Sequence, residues 1–133
     1  MTARVLIVDD DADVLEAMQL VLEDLGYEVL VAPEGSKALD LLRKGAAPSV
    51  ILLDLMMPGM NGRQFIAEAR REALLDEIPV VVVSGGAFRK EDVLALGVAD
   101  CLTKPVDLQR LASTLCKYCP VLTSLSGTVR RQP

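Results

Sequence analysis

Residues 50–53 (Val-Ile-Leu-Leu) and 80–83 (four consecutive valines) are aliphatic runs with no polar residue at alternate positions. A strand with one face in water alternates apolar and polar side chains; a strand covered on both faces does not. Two such runs call for a sheet held between layers, and helical crossovers between parallel strands supply those layers. Residues 5–8, 28–32 and 101–103 read as three further short strands. A helical pattern follows each run. The class expected is therefore α/β, a doubly wound five-stranded parallel sheet with helices on both faces and right-handed crossovers.

The helices are legible from apolar spacing and from their end signals. Val14, Met18, Val21 and Leu25 recur at helical intervals, with Leu15 and Leu22 beside them, and Gly26 supplies the stop. Pro33 opens a second helix whose apolar face is Ala38, Leu41 and Leu42, closed by Gly45. Asn61 is placed to cap a third helix that turns Phe65, Ile66 and Ala69 inward. Residues 90–96 form a short fourth helix, and Asp107 caps a fifth that runs to about Tyr118. The 133 residues are enough for one domain and too few for two. Residues 1–119 are expected to form it, with 120–133 a polar, flexible tail.

Charge and composition exclude several classes. The net charge is -5, and Asp9, Asp10, Asp11 and Asp13 crowd into five positions near the start. Arg130-Arg131 is the only basic pair near an end, so no direct nucleic-acid surface is expected. There is no histidine, which rules out histidine-based catalysis and histidine phosphotransfer. No apolar run reaches the roughly 20 residues that span a bilayer, and the first strand begins too early to leave room for a leader. A cytoplasmic protein without a membrane segment is the expectation. Cys116-Lys-Tyr-Cys119 has C-x-x-C spacing but closes a helix, whereas a redox pair opens one. With neither a second pair nor a histidine there is no zinc set either. Apolar packing is the better reading.

Ligands in an open parallel sheet sit at the carboxyl ends of the strands. Those ends carry Asp9 and Asp10 after the first strand, Asp54 after the third, Ser84 after the fourth and Lys104 after the fifth. Unit charges about 4 Å apart repel by roughly 4 kcal/mol at an effective dielectric of 20. Three clustered carboxylates therefore need a cation or must take up protons. Oxygen ligands with open water positions suit Mg²⁺, which binds phosphate oxygens alongside one or two carboxylates. Lys104 adds a second positive charge and Ser84 a hydroxyl donor, and a carboxylate is a competent nucleophile toward phosphorus. Asp11 and Asp13 fit better as helix N-terminal residues that complement the dipole.

Val8-Asp9-Asp10, Leu53-Asp54 with Pro58-Gly59 and Asn61-Gly62 behind it, Ser84-Gly85, and Lys104-Pro105 together resemble the receiver domains of two-component response regulators. The resemblance runs over roughly residues 4–118 and rests on five separated elements in order. It implies a flavodoxin-like strand order 2-1-3-4-5. It also implies a phosphoacceptor at Asp54, with Mg²⁺ held by Asp9, Asp10, Asp54 and the backbone carbonyl of Met56. Ser84 and Lys104 would bind the phosphoryl oxygens, and Pro105 would follow a cis peptide. A sensor histidine kinase or phosphotransfer protein would be the donor, a downstream protein or output domain the recipient, and a homodimer a further expectation. Such a domain is a phosphoacceptor that assists its own phosphorylation and dephosphorylation rather than an enzyme.

Two departures from the family pattern concern the response to phosphorylation. Receivers usually carry an aromatic residue three positions before the lysine, and here that place is Cys101. The segment from Ser84 to Gly97 is also about half a helical turn short, with Gly85-Gly86 in its loop. Both changes fall on the face of the fourth helix, fifth strand and fifth helix, which is expected to be unusual or weak as an interface. Rival readings fit less well. A receiver cut from a hybrid histidine kinase or a DNA-binding regulator shares all these residues. A flavodoxin-like carrier would need a Ser/Thr/Gly phosphate loop where this chain is acidic. A haloacid-type phosphatase would need Asp where Met56 stands, and a degenerate scaffold would not retain all five polar positions.

Overall fold

The computed structural model describes residues 3–86 and 88–120. Five strands alternate with five helices: β1 (Arg4–Val8), α1 (Ala12–Asp24), β2 (Glu28–Ala32), α2 (Gly35–Arg43), β3 (Val50–Leu53), α3 (Gly62–Arg71), β4 (Val80–Ser84), α4 (Lys90–Leu94), β5 (Asp100–Thr103) and α5 (Leu108–Tyr118). All neighbouring strands are parallel, in the order β2-β1-β3-β4-β5. The expected tail lies, Pro120 apart, outside the described residues.

Strand side chains point alternately into two cores. Leu6, Val8, Ile51, Leu53, Val80 and Val82 meet Ala38, Leu39 and Leu42 of α2, Phe65, Ile66 and Ala69 of α3, and Val93 of α4. Val5, Ile7, Val50, Leu52, Val81 and Val83 meet Leu15, Met18 and Leu22 of α1 and Leu111 and Leu115 of α5. Every residue of β3 and β4 is buried, so the absence of alternation in these runs reflects apolar layers on both sides. Cys119 belongs to the second core whereas Cys116 is exposed, so the C-x-x-C spacing has no structural expression as a pair and both are free thiols; Cys101 packs against the first core.

Several boundaries differ from the sequence reading. The buried stripe of α1 is Leu15, Met18 and Leu22, while Leu25 is 42% exposed because it is already the C-cap. Helix α2 starts at Gly35, not Pro33, since Glu34 is still fully extended at φ -154°. Ala95 ends α4 as its C-cap, shorter than the 90–96 expected. Asp11, Asn61 and Asp107 cap α1, α3 and α5 with their side chains, and Asn61 and Gln64 form a complete capping box.

Helices α1 and α3 end in the same way, with different residues. After α1, Gly26 (φ 102°) gives its N–H to Glu23 and Tyr27 gives its N–H to Leu22, the paired bonds of a left-handed C-terminal cap. After α3, Ala73 (φ 58°) bonds Arg70 and Leu74 bonds Ala69 in the same pattern. A Cβ in this conformation approaches the following carbonyl, a strain glycine does not have. Ala73→Gly is therefore expected to stabilise the domain by about 0.5–1 kcal/mol in urea denaturation; an unchanged or lowered midpoint would show that Ala73 carries no strain.

Candidate functional site

Sheet register brings the acids together. Val8 pairs with Leu53, and the ladder continues as Asp54 N–H donates to the Val8 carbonyl at 2.9 Å. Asp9 and Asp54 thus leave adjacent strands side by side, at the point where the strand order reverses around β1. On the other side Ser84 pairs with Thr103, and Lys104 N–H donates to the Ser84 carbonyl at 3.1 Å. Carboxylate oxygens of Asp9, Asp10 and Asp54 all lie within 4.8 Å of one another. The structure therefore gathers all five sequence-selected side chains at one end of the sheet.

Each group has a defined partner. Lys104 Nζ reaches Asp9 Oδ2 at 2.6 Å and Asp54 Oδ2 at 3.3 Å. Asp54 Oδ1 accepts from the Ser84 hydroxyl at 3.1 Å and from the Met56 N–H at 3.0 Å. Asp9 Oδ1 accepts from the Asp11 N–H at 2.9 Å. The sequence reading had not assigned these two backbone donors. Their only signal is an Asp two residues before a turn amide, a short loop that such side chains habitually close. Asp9, Asp54 and Ser84 are buried, whereas Asp10 is exposed and open to a ligand's water shell. The Met56 side chain points outward, 61% exposed. The Lys104–Pro105 peptide is cis.

The site is short of positive charge. Burial raises the Asp9 carboxyl above its ordinary range, and the hydrogen bonds from Lys104 and the Asp11 N–H offset this only in part. Burial would lower Lys104, yet its bond to Asp9 and the charges of Asp9 and Asp54 outweigh that and hold its ammonium above the usual value. One ammonium bonds two of the three clustered carboxylates, those of Asp9 and Asp54. The donor set left over, hard oxygens with one solvent-facing member, fits a small divalent cation such as Mg²⁺.

Residues 5–115 match the family described as the response regulator receiver domain. The chain belongs to that family. It is a receiver domain of two-component signalling, a class of phosphoacceptor switches. The receiver is 36% identical over 115 residues to protein PilH of Pseudomonas aeruginosa, covering 85% of this chain and 94% of that protein. It is 34% identical over 117 residues to the phosphate regulon transcriptional regulatory protein PhoB of Escherichia coli, covering 86% of this chain but only 51% of PhoB. Among solved structures, the chemotaxis protein CheY4 of Vibrio cholerae superposes with a TM-score of 0.80 at 30% identity, covering 89% of this chain and 99% of CheY4.

Gly62 sets how closely α3 approaches Asp54. A Cβ there would lie 2.7 Å from both the Asp54 carbonyl oxygen and the Leu55 Cα. These are backbone atoms that no rotamer change can move. Gly62→Ala is expected to destabilise the receiver by about 1–3 kcal/mol, measured by urea denaturation. A midpoint equal to wild type would mean that the β3–α3 loop yields freely.

Proposed function

We propose that Asp54 is the phosphoacceptor of this receiver. One observation carries the reading: both oxygens of this buried carboxylate are already held, by Ser84 and Met56 N–H on one and by Lys104 on the other. That holds the nucleophile in one orientation before a donor arrives. An Asp54 oxygen forms the new bond to phosphorus, the donor–phosphorus bond breaks, and its electron pair leaves with the donor. Lys104 and the Ser84 hydroxyl then have phosphoryl oxygens as partners. Asp9, Asp10, Asp54 and the Met56 carbonyl would hold Mg²⁺, which supplies the positive charge that a phosphoryl group next to three acids requires.

The donor in this reading is a sensor histidine kinase or a phosphotransfer protein, since the chain has no histidine of its own. The recipient is a protein target in the cytoplasm rather than nucleic acid, in keeping with a net charge of -5. Among the described residues no helix is long and apolar enough to cross a membrane. The chain spans nearly all of PilH and about half of PhoB, so a second reading places this receiver as one module of a longer regulator or hybrid kinase. Its function at Asp54 is the same in both.

The decisive experiment is incubation with acetyl phosphate and Mg²⁺ followed by intact mass. Wild type should gain one phosphoryl group, Asp54→Asn none, and Asp10→Asn or omission of the metal should slow uptake by roughly 10²-fold or more. An adduct that persists in Asp54→Asn would end the assignment. The acceptor is flanked by Met56 and Gly86, neither of which offers water a polar guide, so the phosphoryl group should be long-lived after donor removal. Loss within seconds, with no phosphatase added, would contradict that. Size-exclusion with beryllium fluoride should leave the receiver without a symmetric dimer through α4, β5 and α5, because α4 is only five residues long and Cys101 replaces the ring. A dimer through that face would refute this part of the proposal.

A further inference from the structure

Two residues beyond Ser84, the loop after β4 has no side chain at Gly86, yet the space is filled. An ideal Cβ on Gly86 would stand 2.4 Å from Cε2 and 2.9 Å from Cδ2 of Phe88. The Phe88 ring thus occupies the volume that a residue at Gly86 would claim. It is half-buried and packs against the core on the α3 side of the sheet. It also shares a groove of about 450 Å³ with Leu55, Met56, Met57, Pro58 and Arg63, in and behind the loop that follows Asp54. The ring therefore lies between the loop that follows Asp54, whose Met56 N–H bonds that carboxylate, and the loop that follows Ser84, which bonds it from the end of β4.

A second observation shows the ring is fastened there. The Arg63 guanidinium lies 5.3 Å from the Phe88 ring centroid, within the range of a cation–π contact. Arg63 sits in the first turn of α3, where the helix dipole disfavours a cation and no acidic residue is present. The ring face is the favourable partner that this unfavourable position has. Arg63 and Gly86 together define the seat of Phe88: one caps the ring and the other makes room for it.

Building on the assignment of Asp54 as phosphoacceptor, we propose that Phe88 is a positioning residue that sets the lifetime of the phosphoryl group by walling off water on the Gly86 side. In the loss step a water oxygen bonds to phosphorus, the bond from phosphorus to the Asp54 oxygen breaks, and its electron pair returns to the carboxylate. The water's protons leave with the phosphate and to solvent. An apolar ring beside Met56 gives the incoming water neither a hydrogen-bond acceptor nor room. The slow loss expected of this receiver then comes from an aromatic side chain supplied two residues further along the loop, and not from the bare glycine.

The test loads wild type, Phe88→Ala, Phe88→Leu and Arg63→Met with acetyl phosphate and Mg²⁺, removes the donor, and follows the adduct by intact mass. Beryllium fluoride affinity and thermal midpoint are measured in parallel. Phe88→Ala should lose the phosphoryl group at least about fivefold faster, and Arg63→Met about twofold faster. Phe88→Leu, still apolar and bulky, should stay close to wild type, and beryllium fluoride affinity should be unchanged in all four. Equal lifetimes in wild type and Phe88→Ala would overturn the proposal, as would Phe88→Leu losing the group as fast as Phe88→Ala. If Phe88→Ala does not fold, Arg63→Met decides: faster loss supports the wall and an unchanged lifetime overturns it. Failure of wild type itself to take up label would instead refute the assignment of Asp54.

Discussion

Lys104 ties the ends of three strands into one site. It leaves the end of β5, crosses to Asp9 after β1 and to Asp54 after β3, and so joins parts of the chain that are 95 and 50 residues away. Two carboxylates that are almost fully buried would be untenable without it, because an unpaired buried charge costs far more than a satisfied pair returns. The same contact cannot complete the neutralisation. Burial still holds the Asp9 carboxyl above its ordinary range despite the bonds from Lys104 and the Asp11 N–H. The lysine therefore holds the strand ends together while the acids gathered there outnumber it three to one.

That balance depends on backbone placement more than on side-chain choice. Parallel register sets Asp9 next to Asp54, and the Ser84–Thr103 pairing sets Lys104 within reach of both. Gly62 then lets α3 start against the Asp54 carbonyl, while Gln64 and Asn61 close the capping box that fixes where the helix begins. The Gly62 N–H also donates to the Leu55 carbonyl at 3.1 Å, tying the start of α3 to the residue that follows Asp54. The chemistry at the strand ends and the packing of α3 are one constraint expressed twice.

Much of this could be read from residues alone, because the strongest signals were of the least ambiguous kind. The four valines of β4 and the Val-Ile-Leu-Leu of β3 have no reading as half-exposed strands, and five polar residues gathered at the ends of four of the five strands have few readings at all. Helix ends were less legible. Pro33 looked like a helix start, yet Glu34 remains extended, and Leu25 looked like a core position, yet the chain has already reached its cap. Apolar spacing reports which side of a helix faces inward and says little about where the last turn stops. The backbone donors at Asp11 and Met56 and the Phe88 ring over Gly86 were invisible for a different reason. They depend on loop conformations that no periodicity encodes.

The departures at Cys101 and α4 gain a physical meaning from Phe88. In β5, Cys101 faces the core beneath α4, where its small side chain leaves little to move in response to Ser84. The loop between Ser84 and α4 does contain an aromatic ring, packed on the same core as Cys101 and reaching toward α3 and the loop after Asp54. Gly85 and Gly86 follow Ser84 directly, and Gly86 forms one side of the seat in which Phe88 rests. Strand β5 is joined to Ser84 directly, by the Ser84–Thr103 pairing, but presents the small Cys101 side chain to that core. The aromatic bulk near Ser84 therefore lies in the groove between Met56, Arg63 and Phe88, where Arg63 caps it, and not at position 101 in β5.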